Sequence, residues 1–242
     1  MRVTCYRCFW PQPLCWCASI TPMATRTRFV FLMHPKEFKQ VKAATGRLTH
    51  LCLAESELHM GIGFDDHDGV QALIRDPANF PVLLFPGRDA TNLSDTARGQ
   101  VAAFRARCEG RRLVVFLLDA TWALSRKMLR LSPSLQRLPR IMFTPSAPSR
   151  YLIKQQPHPG CLSTLEATHE LLLALAQAGL DQYPLPDQLV ALFHRMQDLQ
   201  LRFAADTERT GYRRRAYKPA TERVPPKGKS GTRRTRVFQS PD

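Results

Sequence analysis

The run Leu113-Val114-Val115-Phe116-Leu117-Leu118, followed at once by Asp119, most narrows what this chain can become. Six consecutive apolar residues with β-branched residues near the front leave no polar face for water. They describe a strand covered on both sides, as in a parallel sheet. After Ala120-Thr121-Trp122 the pattern turns helical, with Leu124, Met128 and Leu131 spaced to face inward and Arg126, Lys127 and Arg130 to face out. An acid at the carboxyl end of a buried strand, just ahead of a helix, lies where open α/β sheets bind ligands. Two readings fit Asp119: an N-cap for that helix, or a catalytic or ligand-binding acid.

The flanking sequence repeats the theme. Residues 28–33 read as a first strand ending on His34-Pro35, and residues 36–53 as a helix passing into a short strand or turn. His34 fits a hydrogen-bonded structural residue better than a proton carrier. Residues 60–64 look like strand and turn, and Asp65-Asp66-His67-Asp68 like a solvated loop capping a helix over 69–75. Residues 81–85 form another buried strand, closed by Pro86-Gly87-Arg88, where a glycine lets backbone approach a ligand. A helix over 93–107 with Asn92 or Ser94 as its cap, a strand over 138–143 and an extended loop over 144–151 follow. Ser163 and Glu166 have capping-box spacing ahead of a helix over 165–178. Because a Gly-containing loop enters that helix, its free amides also make an anion site. A last amphipathic helix covers 188–204. Strands alternating with helices predict an α/β fold, a mostly parallel sheet flanked by helices.

With 242 residues, 44% of them hydrophobic, the chain can bury one sizeable core. It has no apolar run of membrane-spanning length and no secretory layout at its start, so a soluble, cytoplasmic protein is expected, with no membrane partner. The formal charge is +15. Residues 205–242 carry eleven Lys/Arg against four Asp/Glu, which leaves an excess of basic residues in the body as well. That balance suits a polyanion, with nucleic acid the leading partner. Tyrosines interleaved with arginines at Tyr212–Lys218 suit contact with RNA phosphates and bases.

Four of the seven cysteines, Cys5, Cys8, Cys15 and Cys17, fall within thirteen residues. Four thiolates complete a closed tetrahedral zinc shell, which makes such a site structural. A reactive thiol cluster and an iron–sulfur ligand set are the other readings of the same spacing.

Cys5-x-Arg7-Cys8 with Cys15-x-Cys17, His34-Pro35-x-Glu37, Asp119-Ala120-Thr121-Trp122, Pro148-Ser149-Arg150-Tyr151 and Pro159-Gly160-Cys161-Leu162-Ser163-Thr164-Leu165-Glu166 occur in that order. Together they resemble the DTW-domain family, the tRNA-uridine aminocarboxypropyltransferases, over about residues 1–205. The resemblance implies transfer of a 3-amino-3-carboxypropyl group from S-adenosylmethionine to N3 of a tRNA uridine, releasing 5'-methylthioadenosine. It also implies a SPOUT-like α/β domain with a carboxyl-terminal trefoil knot; nothing in the periodicity points to a knot. The expected layout is a zinc knuckle over 1–22, a catalytic domain over 23–204 and a basic tail over 205–242 outside the shared pattern.

Within that frame Asp119 is the candidate base, since partial desolvation at a strand end suits an aspartate to accept a proton. Pro86, Gly87, Leu118, Thr121 and Trp122, with Pro159, Gly160, Cys161, Leu162, Ser163 and Thr164, are the candidate cofactor contacts. His34, Lys36, Lys39, Arg126, Lys127, Arg130, Arg150 and Lys154 are candidate tRNA contacts. Two rival readings are a SPOUT-type RNA methyltransferase and a non-catalytic zinc-containing RNA-binding protein. The mass of the product on tRNA separates all three.

Overall fold

The computed structural model describes residues 3–40, 45–95, 99–153 and 160–205. Candidate residues Lys154 and Pro159, and nearly all of the basic tail, lie outside these. The Lys39 backbone lies in a helix, but its side chain is not among those described.

Six parallel strands form one sheet: β1 (Arg28–Met33), β2 (Ser56–Met60), β3 (Asn79–Leu84), β4 (Thr91–Asn92), β5 (Arg112–Asp119) and β6 (Arg140–Met142). Their order is β2-β1-β5-β3-β6-β4. The helices are α1 (Pro35–Gln40), α2 (Thr45–Cys52), α3 (Asp68–Arg75), α4 (Gln100–Cys108), α5 (Trp122–Arg130), α6 (Pro133–Gln136), α7 (Thr164–Gln177) and α8 (Pro186–Ala205). None is long and apolar enough to cross a membrane among the described residues.

The apolar run of β5 is sandwiched as its composition requires. Val115 and Leu117 face a cluster that includes Leu48 and Leu51 of α2, Leu171 and Leu175 of α7, and Phe193 and Met196 of α8. Val114 and Phe116 face the opposite cluster, with Val70 of α3, Met128 of α5 and Leu135 of α6. Period-two alternation therefore sends Asp119 to the side of α2 and α7. Trp10, Trp16 and Cys8 belong to the first cluster, so the cysteine segment packs into the main core.

Several local expectations are corrected. Leu131 is 46% exposed, because α5 ends at Arg130 before the residue can swing inward; Leu129 is buried instead. The helix expected over 93–107 begins only at Gln100. Asn92 lies in β4 and takes the Ser94 amide on its Oδ1 at 3.1 Å, so these residues shape a loop rather than cap a helix. The amide bond of an Asx residue two positions on competes with helix initiation there. The acidic loop caps α3 through His67, whose Nδ1 accepts the Val70 amide at 3.4 Å, while Asp65 takes the Ser134 hydroxyl at 2.6 Å.

Candidate active site

The chain leaves β1 toward β2 on one side and leaves β5 toward β6 on the other, so the direction of winding reverses between these two adjacent strands. Such a reversal opens a crevice at the carboxyl ends of the strands, the usual ligand position in an open α/β sheet. Met33 pairs with Asp119 at that point, and His34 donates its amide to the Asp119 carbonyl at 3.1 Å.

Asp119 is 6% exposed. It does not cap α5; Thr121 occupies that position without a side-chain cap bond. Instead the Asp119 Oδ1 accepts the Thr164 hydroxyl at 2.5 Å, across from the first residue of α7. Gly46, the second residue of α2, lies against the same carboxylate, where a Cβ would sit 2.2 Å from Oδ2. Two helix amino termini thus converge on one acid, and their partial positive charge favours an anion there. Gly46→Ala is expected to force this packing apart, destabilising the fold by ~1–3 kcal/mol. A urea unfolding series would show it, and an unchanged midpoint would mean the approach relaxes without cost.

The amino end of α7 is built as its sequence requires. Ser163 Oγ accepts the Glu166 amide at 3.3 Å and the Ser163 amide donates to Glu166 Oε2 at 2.9 Å, completing the capping box. Glu166 does more than cap: it also accepts the Ser149 hydroxyl at 2.9 Å and the Arg150 amide at 2.7 Å. Glu170 likewise holds Ser146, so the 146–150 loop is tied to α7. This tether places Tyr151 near the site. Burial pushes its phenol up to about 12, helped by the charges of Glu37, Glu166 and Asp119.

Arg47, 5% exposed, is a cation on which the Asp119 charge acts, and neither composition nor spacing singled it out. Its guanidinium lies 4.3 Å from the Phe9 ring centroid and 4.5 Å from that of Phe38, and donates to the Phe38 carbonyl at 3.1 Å. Burial lowers its pKa, against the opposing pull of Asp119 and Cys8. Phe9, which follows the first cysteine pair, reaches Arg47 from a left-handed turn at φ 60°. A cavity of about 510 Å³ opens beside Arg47, walled by Phe9, Phe38, His50 and Leu58.

The remaining candidates fall around the rim. Pro86 and Gly87 follow β3, and a Cβ on Gly87 would lie 3.2 Å from an Arg140 guanidinium nitrogen. Trp122 is half-buried, edge-on to Phe85 at 6.0 Å between centroids, while Leu118 packs into the α5 side of the core. Cys161 and Ser163 are buried, Leu162 and Thr164 partly so, and Gly160 is exposed. Lys36, Arg126, Lys127, Arg130 and Arg150 are all exposed. Lys36 and Lys127 both act on His34, which places α1 and α5 on one side of the crevice.

His34 itself is buried and its Nδ1 accepts the Lys36 amide at 3.1 Å, a capping role at the start of α1. Burial lowers its pKa, and those of His50 and His169, below 6.5. In that window the unfolded chain binds more protons, so stability rises with pH. It is fully present above about pH 7 and declines as pH falls through 6.5 toward the folded values. His34→Asn keeps a capping acceptor and removes one titration, so it is expected to flatten the pH dependence of the urea midpoint. An unaltered slope would show that His34 does not contribute.

At the other end of the knuckle, the Sγ atoms of Cys5, Cys8, Cys15 and Cys17 all lie within 4.8 Å of one another. Cys5 and Cys17 are 3.9 Å apart, and Cys8 and Cys15 3.7 Å. Zinc–sulfur bonds of ~2.3 Å in a tetrahedron require sulfur edges of about 3.8 Å, so the donor set fits a single closed zinc ion. Amide hydrogen bonds from Cys8 and Arg7 hold the Cys5 thiol down at about 6, toward the thiolate a metal needs.

The profile of the DTW domain matches residues 2–201. The chain belongs to the DTW-domain family. The domain is 29% identical over 181 residues to tRNA-uridine aminocarboxypropyltransferase 2 of Drosophila melanogaster, covering 72% of this chain and 67% of that protein. It is 29% identical over 214 residues to the protein of the same name from Mus musculus, covering 85% and 68%. A Macaca fascicularis protein of that name is 25% identical over 211 residues, covering 85% and 68%. No solved structure matches the chain. In this DTW domain the three residues that name the family run from the last residue of β5 into the first turn of α5: Asp119 ends the strand, Thr121 caps the helix and Trp122 opens it.

Proposed function

We propose that this DTW domain transfers a 3-amino-3-carboxypropyl group from S-adenosylmethionine to N3 of a uridine in tRNA, with 5'-methylthioadenosine as co-product. The observation that carries the reading is Asp119, a buried carboxylate in the crevice between β1 and β5, held by Thr164 and flanked by two helix amino termini. The names of the relatives supply the substrate class.

The residues fit the donor. Gly87 leaves room at the end of β3 and Trp122 with Phe85 offers apolar rim surface for an adenosine. The first amides of α7 are suited to its carboxylate, since the capping box occupies only the Glu166 amide of that turn. S-adenosylmethionine supplies an electrophilic carbon beside a sulfonium, which departs as a neutral thioether.

Asp119 accepts the N3 proton of the uridine as the ring nitrogen forms its bond to that carbon. The uridine imide is neutral at physiological pH, so such a base is worth ~10²–10⁴ in rate. Thr164 holds the carboxylate so that one oxygen keeps a fixed direction. Lys36, Lys127 and Arg126, exposed beside the crevice, take backbone phosphates. The cysteine knuckle, holding zinc, stays structural and braces Arg47 through Phe9. A SPOUT-like domain with a carboxyl-terminal trefoil knot is part of the same reading.

Nucleoside mass spectrometry of tRNA incubated with the purified protein and S-adenosylmethionine tests it. An aminocarboxypropyl adduct with methylthioadenosine is the expected result. A methyl adduct with S-adenosylhomocysteine would assign a methyltransferase instead, and an unmodified tRNA that still binds would leave a binding protein.

A further inference from the structure

The amino ends of β1 and β5, opposite Asp119, carry a feature that the reaction does not use. A cavity of about 520 Å³ is lined by Arg26, Arg105, Arg111 and Arg112, together with the carboxyl ends of α4 and α7. Arg26 precedes β1, Arg112 opens β5, and Arg105 lies in the last turn of α4. Asp119 closes β5 at its other end. Seven strand steps of ~3.3 Å put the two roughly 23 Å apart.

Three acids lie by these four arginines, one fewer than the guanidiniums they would have to balance. Glu109 lines the cavity. Glu55 takes Arg112 at 2.6 Å. Asp181 spends both oxygens on the backbone amides of Arg26 and Thr27, at 2.8 and 2.9 Å. Arg111 is placed by its position 4.6 Å over the Phe80 ring and by its bond to the Arg107 carbonyl at the end of α4. That bond gives the ordinary explanation for a basic residue at a helix carboxyl end. It extends to Arg105, in the last turn of α4, but not to Arg26, which precedes β1. Among the described residues neither side chain has a hydrogen bond or an ion pair, and both are exposed. Four guanidiniums around one concavity repel one another and are stabilised by a multivalent anion, and their planar forks match phosphate oxygens.

We propose that this cavity holds backbone phosphates of the tRNA substrate, a second contact surface at the opposite end of the strands from the reacting uridine. The inference rests on the tRNA reading above. A span of roughly 23 Å is within the length of a single RNA stem, so one stem is long enough to reach both ends of the strands. The surface reads no base; it fixes where along the RNA the crevice settles.

Binding of a transcribed tRNA to the full chain, measured between 50 and 200 mM salt, tests this. Arg26→Gln/Arg105→Gln removes two phosphate contacts, so the slope of log K against log salt is expected to shrink by about 1.8. The affinity lost over that fourfold salt range then falls by about twelvefold relative to wild type. The single-turnover rate at saturating tRNA and the thermal midpoint stay unchanged. Arg105→Glu, a lone exposed change, gives a weaker effect in the same direction. A wild-type slope in both variants overturns the proposal, as does a loss of affinity that is equal at all salt concentrations and accompanied by a lower midpoint. If the wild-type chain binds no tRNA, it is the tRNA reading itself that falls.

Discussion

Asp119→Asn is expected to lower the single-turnover rate by ~10²–10⁴ while leaving the fold, donor binding and tRNA binding close to wild type. Asparagine has the shape of aspartate and its Oδ1 still accepts the Thr164 hydroxyl, so the contact at 2.5 Å survives. What goes is the negative charge that takes the proton and that the amino ends of α2 and α7 favour. Rate against pH separates a base from a strut. A base makes the rate depend on pH in the wild type in a way that the asparagine variant lacks; a strut leaves the two profiles parallel. If the variant modified tRNA at the wild-type rate, Asp119 would be a structural link between β5 and α7 and nothing more. A combined loss of rate and thermal stability would point the same way.

The site was legible in the sequence where chemistry and local pattern coincide. A six-residue apolar run with β-branched residues and a polar stop fits a short strand covered on both faces, and the acid ending it then stands at the rim; β5 and Asp119 follow. Ser163 and Glu166 are three residues apart, and a capping box depends on nothing further away than that. Arg47 and Gly46 were silent for the opposite reason. Their meaning comes from partners far along the chain, Phe9 on one side and Asp119 on the other, and no periodicity encodes a contact across 38 or 73 positions. Glu166 lies between these cases. Its capping role is local, whereas its grip on Ser149 and Arg150 comes only from the fold. The α4 start was misplaced because Leu93 has the spacing of a helix residue yet is buried beside β4, where a two-residue strand pairs with β6. Strands that short carry no alternation to read.

Removing the metal should cost stability well beyond the knuckle itself. Here Cys8, Trp10 and Trp16 lie in the same apolar cluster as Leu171 and Phe193. The two indoles meet edge to face at 4.9 Å, and Arg195 of α8 sits 5.6 Å from the Trp16 ring. Freed of their ion, the cysteines take up protons and nothing holds the four sulfurs together, so the turn carrying Phe9 in its left-handed conformation relaxes and the indoles lose their anchor. Exposure of even one such side chain costs ~3–5 kcal/mol. In a domain of this size a loss of 3 kcal/mol lowers the thermal midpoint by about 6–12 °C. The expected composition is one zinc per chain, with that drop on chelation and recovery on adding zinc back. Cys8→Ser should reproduce the drop without chelator. The same loss withdraws Phe9 from Arg47, so aromatic fluorescence should change alongside the midpoint. A chelated chain that melts at the wild-type temperature with an unchanged spectrum would mean that the indoles hold their places without the ion, and the knuckle would then be an ornament on a core that is complete without it.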